Sequence, residues 1–236
     1  MTLELLVANA VIFVAAVLQA ATGIGFAMVA VPLLALINLA WIPAPMLICN
    51  IVLSVILMSR GRAALDPTEG PPLVVGLTLG TFAGAGVLTL FDERWLGVSI
   101  GAIIVVAVTA SLATPPIRIN RPRLLAGATL GGATGIISAM HGPPLVLLYQ
   151  RERPEKVRAT MAGVFIFGSL LALGSLWLAG FLGWEQIWRG LILLPGVALG
   201  YLVGRALGGR MTPGAVRYAM LGVSGAAGLA LLIKSL

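Results

Sequence analysis

Ala21-Thr22-Gly23-Ile24-Gly25-Phe26-Ala27-Met28-Val29-Ala30-Val31-Pro32-Leu33 and Ala133-Thr134-Gly135-Ile136-Ile137-Ser138-Ala139-Met140-His141-Gly142-Pro143-Pro144-Leu145 are two copies of one pattern, Ala-Thr-Gly-Ile-x-x-Ala-Met-x-x-x-Pro-Leu. Each copy interrupts a long apolar stretch. A helix broken inside hydrocarbon leaves amide and carbonyl groups that water cannot reach, so something else must satisfy them. Glycine-interrupted apolar segments at corresponding places in two halves of a chain are a sequence pointer to a solute site between broken helices.

The composition excludes a water-soluble domain. Hydrophobic residues make up 59% of the chain and charged residues 10%, with a mean hydropathy of +1.06. Stretches 3–39, 43–59, 70–91, 95–114, 124–150, 160–184 and 211–233 carry very few ionisable groups, and about 18 such residues suffice to span a bilayer. No Lys or Arg precedes the first apolar run, which predicts an uncleaved first segment rather than a signal peptide. The lone Cys49 excludes an intramolecular disulfide and a cysteine metal site. The net charge of +7 is scattered over short loops, which reads as topology-setting charge and not as a nucleic-acid surface.

Proline, glycine and charge divide the chain into ten apolar pieces: 3–22, 26–39, 43–59, 70–90 and 95–113, then 124–139, 142–150, 157–180, 187–208 and 212–234. The link around 115–123 joins a first repeat, 1–114, to a second, 124–236. Duplication is supported by Gly76-x-x-x-Gly80-x-x-x-Gly84 and Gly196-x-x-x-Gly200-x-x-x-Gly204, spacings that put glycines on one helix face for close packing.

Charge decides how the chain crosses. If 3–39 and 124–150 each cross once, seven basic residues face eight, and no orientation follows. If each is instead a hairpin that returns to its own side, Arg94, Arg189 and Lys234 share one face and the other twelve of the fifteen basic residues share the opposite one. That is a strong positive-inside bias, with the chain start outside the cytoplasm. Two full crossings per segment have the same parity, but a helix over 142–150 is only about 13 Å long. It reaches the middle of a hydrocarbon core about 30 Å thick and no further. The expectation is an all-α polytopic membrane protein of two inverted repeats, each a re-entrant broken-helix hairpin (3–39, 124–150) plus three spans (43–59, 70–90, 95–113; 157–180, 187–208, 212–234), with the hairpin tips meeting near the midplane.

A helix start carries about half a positive charge and points N–H donors outward, which suits an anion. Two such starts are expected, near Phe26–Ala27 and near His141–Gly142. No Lys or Arg lies within 3–39 or 124–150, so backbone dipoles and neutral side chains must do most of the work, with Arg158 or Arg205 reaching in from span ends. Thr22, Thr134 and Ser138, with Gln19 one turn earlier, can donate to an oxyanion or cap the freed backbone groups. Gly23, Gly25, Gly135 and Gly142 let the chain bend, and Pro32 and Pro144 are expected to shape the turns. Asn50 and Ser54, one turn apart on the third piece, line a cavity or make helix-packing hydrogen bonds. His141, the one histidine, touches the anion, carries a coupled proton or serves as a fixed hydrogen-bond partner. Trp41, Trp95, Trp184 and Trp188 are read as interface anchors.

At these residues the chain resembles the TauE/SafE family of bacterial sulfite exporters: the duplicated break followed by Pro-Leu, Arg158-Ala159-Thr160 after the second hairpin, and short paired halves. The resemblance covers essentially the whole chain. It implies a multi-pass protein of the bacterial inner membrane that exports sulfite, sulfoacetate or a related small anion, with no cofactor and no metal. The partners expected are that anion and the lipid bilayer, with a homodimer left open. Competing readings are an anion channel and a non-transporting subunit of a larger complex. An intramembrane enzyme is disfavoured, because every Asp and Glu lies at a span end or in a loop.

The charge count makes a topological prediction. In a Cys49→Ala background, a membrane-impermeant maleimide should label Gly183→Cys in intact cells and Arg151→Cys only after permeabilisation. The reverse pattern would invert the orientation.

Overall fold

Hydrocarbon forces backbone groups to pair within their own segment, so apolar pieces of this length fold as helices. The computed structural model describes residues 2–59, 66–115, 117–208 and 213–236. Arg60, Arg62 and Arg210 of the charge count lie outside them. The helices are α1 (Thr2–Thr22), α2 (Phe26–Ile37), α3 (Ala44–Met58), α4 (Gly70–Leu88), α5 (Glu93–Ala113), α6 (Arg121–Ser138), α7 (Gly142–Leu148), α8 (Pro154–Leu178), α9 (Trp184–Leu191), α10 (Leu194–Leu207) and α11 (Pro213–Ser235). Asp92 and Asn120 start α5 and α6 by accepting from the N–H groups of Trp95 and Arg123. Among the described residues, seven helical stretches are long and apolar enough to cross a membrane; α2, α6 and α7 are not among them.

The chain does fold back at 3–39. Glu4, in the first turn of α1, accepts from Asn38 Nδ2 at 3.0 Å and from Trp41 Nε1 at 3.1 Å, so the end of α2 returns to the beginning of α1. The hairpin is asymmetric, however. At 21 residues α1 is long enough to cross by itself, whereas α2, with 12, rises about 18 Å. The first hairpin is thus a full-length helix and a short return.

The glycine triplets join one half of the chain to the other. Gly76, Gly80 and Gly84 of α4 lie on Leu125, Thr129 and Ala133 of α6, while Gly196, Gly200 and Gly204 of α10 lie on Asn9, Phe13 and Val17 of α1. At Gly80 a methyl group would overlap the Thr129 carbonyl, so only glycine allows this backbone approach. Residue order ascends together in both pairs, making each parallel. α5 and α11 run antiparallel, with Gly97 on Ser235 and Gly101 on Leu232.

Polar contacts sort the two ends. At the end where α1 begins, Arg94 donates to the backbone carbonyls of Ser235 and Leu236, Lys234 to that of Leu36, and Arg189 sits 5.7 Å from the Trp41 ring. At the other end, Arg158 binds the last carbonyls of α1, Arg217 binds Ser111 and Lys156 pairs with Glu69. α6 begins at this second end, opposite in sense to α1.

The span expected at 187–208 remains one membrane-length stretch, Trp184–Leu207, with a turn at Ile192–Leu193, where Asn9 of α1 donates to the freed Ile192 carbonyl and accepts from Gly196 N–H. Trp41 is not an interface anchor: it is 5% exposed and tied to Glu4, while Trp95, Trp184 and Trp188 are exposed as expected.

Gly80→Leu or Gly200→Leu should destabilise the protein by at least about 1–3 kcal/mol through overpacking. Gly86→Ala, where a methyl group meets nothing within 4 Å, should leave the melting temperature within error in the same thermal-melt assay.

Candidate functional site

The two sequence copies break their helices at different points. In the first, Gly23 and Gly25 adopt φ of 90° and 113°, left-handed geometry open to glycine, and α1 stops at Thr22. In the second, Ile137 stands where Gly25 stands, so α6 runs one turn further, through Gly135 to Ser138. It ends on Ala139 at φ 60°. Gly135 is therefore a helix residue and not part of the turn. Gly23 N–H bonds to Gln19 O at 2.7 Å and Ala139 N–H to Gly135 O at 2.8 Å, the same helix-ending bond four residues apart in register.

The repeated threonines do the same work at both breaks. Thr22 Oγ1 lies 2.7 Å from both the Leu18 and Ile24 carbonyls, one inside the helix and one beyond it. Thr134 Oγ1 lies 2.9 Å from Leu130 O and 2.8 Å from Met140 O. Ser138 donates to Thr134 O at 2.7 Å and is fully buried. Arg158 completes the first cap, with Nη2 3.1 Å from Ala21 O, its side chain lying across Gly23. A cation at a helix C-terminus is electrostatically favoured.

The start of α2 is the stronger donor end. Phe26 N–H goes to Gln19 Oε1 at 3.0 Å. Among the described residues, the N–H groups of Ala27 and Met28 have no protein acceptor, and both residues line a cavity. The start of α7 differs, because Pro143 and Pro144 occupy its second and third positions and carry no N–H. A matched pair of donor ends is therefore not what folds. Pro144 sits in a first helical turn, where proline is tolerated, but Pro32 lies inside α2, away from the turn. Pro32 cannot donate to the Met28 carbonyl, and Ser224 of α11 donates to it instead.

Both breaks face one cavity of about 480 Å³. Gln19, Thr22, Gly25, Ala27 and Met28 come from the first hairpin and Gly142 and Pro143 from the second, with Asn50 of α3 and Met220 of α11 closing the sides. Gln19 is 1% exposed and its Nε2 has no partner; Asn50 is 2% exposed, donates to Ser169 Oγ at 3.4 Å, and leaves Oδ1 unpaired. Buried amides left in that state cost about 1–3 kcal/mol each, which a bound polar solute would relieve. The cavity opens toward Gln150, Glu152 and Pro154, at the end where Arg217 binds Ser111. In the opposite direction the chain is packed shut by Ile12, Leu34, Leu47 and Leu193, all fully buried.

The remaining sequence candidates are placed elsewhere. Gly23 and Phe26 support the turn, while Thr134, Gly135, Ser138 and His141 are not among the residues lining this cavity. The His141 ring is fully buried between Gly135 of α6 and Gly168 of α8, where a methyl group on either glycine would overlap the imidazole. Neither ring nitrogen makes a well-formed hydrogen bond, and the polar group beside the ring is the Gly168 backbone. Of the two basic residues expected to reach in, Arg158 is engaged with α1 and Arg205 is exposed on α10. The cation that does line the cavity is Arg217, hidden from sequence reasoning because it lies far along the chain on α11. A count of cations one turn into each span would have flagged it.

Gly135→Ala should lower stability by about 1–3 kcal/mol by driving into the imidazole. Combining it with His141→Ala should recover most of that loss in a thermal-melt double-mutant cycle. Additive losses would show that ring and glycine are not in contact.

No curated protein and no solved structure matches the chain. The family model described as sulfite exporter TauE/SafE matches residues 8–231, nearly the whole length, and that family comprises membrane transporters of small anions rather than enzymes. With its helical fold and seven membrane-length apolar stretches, this chain belongs to the TauE/SafE sulfite exporter family.

Proposed function

We propose that the chain exports a small sulfur-containing anion, sulfite, sulfoacetate or a related organosulfonate, across a bacterial inner membrane by ion-coupled alternating access. The carrying observation is the cavity between the two breaks, where the unpaired Gln19 Nε2 and the free Ala27 and Met28 N–H groups converge with no acidic side chain at the deep end. Such donors favour an oxyanion by the helix-start dipole, and no buried cation is needed. The Arg217 side chain at the mouth would add attraction along the approach.

Orientation and direction rest on charge. The cavity opens at the end carrying Arg151, Arg153, Lys156 and Arg158, which the positive-inside rule assigns to the cytoplasm. An inward-open site suits export. The packed core beyond the cavity favours a transporter over an open channel. Two inverted repeats, 1–114 and 124–236, are supported by the opposite senses of α1 and α6 and by the glycine contacts exchanged between halves. Movement of the hairpins against α3 and α8 would alternate the openings. Coupling is assigned to His141: a proton there would act on the fit of α6 against α8 rather than on the anion.

Gln19→Glu separates the donor from the cap, because a carboxylate still accepts from Phe26 N–H but replaces the free Nε2 with an anionic oxygen. In a thermal-shift series with sulfite, sulfate, thiosulfate, sulfoacetate, taurine and small carboxylates, a bound anion raises the melting temperature by mass action. The variant should lose affinity at least tenfold for the winning anion. An unchanged shift in Gln19→Glu would remove the anion from this cavity.

A further inference from the structure

The two halves differ where each short returning helix meets the last helix of a half. On one side α2 is closed against α11: Met220 lies across Gly25, Ser224 binds the Met28 carbonyl, and Lys234 donates to Leu36 O at 3.2 Å. On the other side α7 stands away from α5, leaving a crevice of about 530 Å³. Ile103, Val106 and Ala110 of α5 form one wall, and Leu130 of α6 with Leu147 of α7 forms the other. Its lining is almost wholly apolar, contains no Asp or Glu, and includes one charged group, Arg123, at one rim. The crevice and the anion cavity share Pro143 and no other lining residue.

The crevice has the dimensions and charge of one leaflet. Along α6 it extends from Arg123 to Thr134, about 16 Å of helix, which is half of a hydrocarbon core about 30 Å thick. Val106 and Leu130 are 65% and 59% exposed, so apolar matter of the bilayer can reach the walls directly. Arg118 and Arg121 are exposed beside Arg123 in the chain. Arg123 Nη1 donates to the Arg118 carbonyl at 3.0 Å, and among the described residues its other guanidinium N–H groups have no protein acceptor. A basic rim above an apolar slot between helices matches an anionic lipid headgroup with its acyl chain.

We propose that this crevice binds one anionic phospholipid per chain, its phosphate on Arg123 with Arg118 and Arg121, and one acyl chain lying between α5 and α6 against α7. The lipid fills on this side the space that Met220 and its neighbours fill against α2 on the other.

The test uses delipidated full-length protein, native mass spectrometry and thermal melts, with dioleoylphosphatidylglycerol, dioleoylphosphatidylcholine and free glycerol phosphate as probes. One phosphatidylglycerol per chain should remain bound at collision energies that strip phosphatidylcholine, and it should raise the melting temperature. Arg123→Gln should weaken that binding at least fivefold, and Ala126→Trp, which fills the slot from α6, should abolish it while leaving helical circular dichroism unchanged. If Ala126→Trp does not fold, Val106→Trp closes the opposite wall. Equal retention of the two lipids, full binding by Arg123→Gln and the tryptophan variant, or equal stabilisation by glycerol phosphate alone would each overturn the proposal.

Discussion

Every backbone amide and carbonyl exposed by a helix break inside hydrocarbon must find a partner, and the centre of this protein is arranged around that requirement. Thr22 and Thr134 bridge the carbonyls on either side of their breaks. Arg158 takes the end of α1, Gln19 takes the first N–H of α2, and Ser224 takes the carbonyl that Pro32 leaves free. Of the groups still unpaired after this accounting, Gln19 Nε2, Asn50 Oδ1 and the Ala27 and Met28 N–H groups lie on residues that line one cavity. The proposed site is placed there because the fold leaves the Gln19, Ala27 and Met28 donors unspent beside that cavity.

Holding broken helices in place requires a stiff frame, and the glycine triplets supply it. α4 on α6 and α10 on α1 approach to backbone contact, so each full-length arm of a hairpin is fixed by a helix from the other half. The short arms α2 and α7 are held less uniformly. α2 is hydrogen-bonded to α11, whereas α7 leaves a crevice toward α5 and is tied at its end through Tyr149, whose hydroxyl donates to Glu69 at 2.6 Å. Glu69 in turn pairs with Lys156 at 2.7 Å, which joins α4, α7 and α8 beside the cavity mouth.

Much of this was legible in the chain because membrane folding reduces to few rules. Apolar length, glycine spacing and the sorting of arginines located the helices to within a few residues and grouped Arg94, Arg189 and Lys234 at one end. What could not be read depended on register and on partners distant in sequence. The identical Ala-Thr-Gly-Ile letters stop one helix and pass through the other, because a single residue, Gly25 against Ile137, decides whether a second left-handed position is available. His141 stands at the second break in the motif, and its packing against Gly168, 27 residues further on, has no local mark in the sequence. The Asn9 cap on the break before α10 had no local signal at all.

The claim on which the account turns is that one small anion sits between the two breaks on the first turn of α2. Selenite has the shape and charge of sulfite and scatters anomalously, so an anomalous difference map from crystals grown with selenite locates the site without a choice of model. One peak is expected within hydrogen-bonding reach of Gln19 Nε2 and the Ala27 and Met28 N–H groups, facing Asn50. A peak confined to the arginines at the surface, or none inside the protein at concentrations that raise its melting temperature, would contradict it.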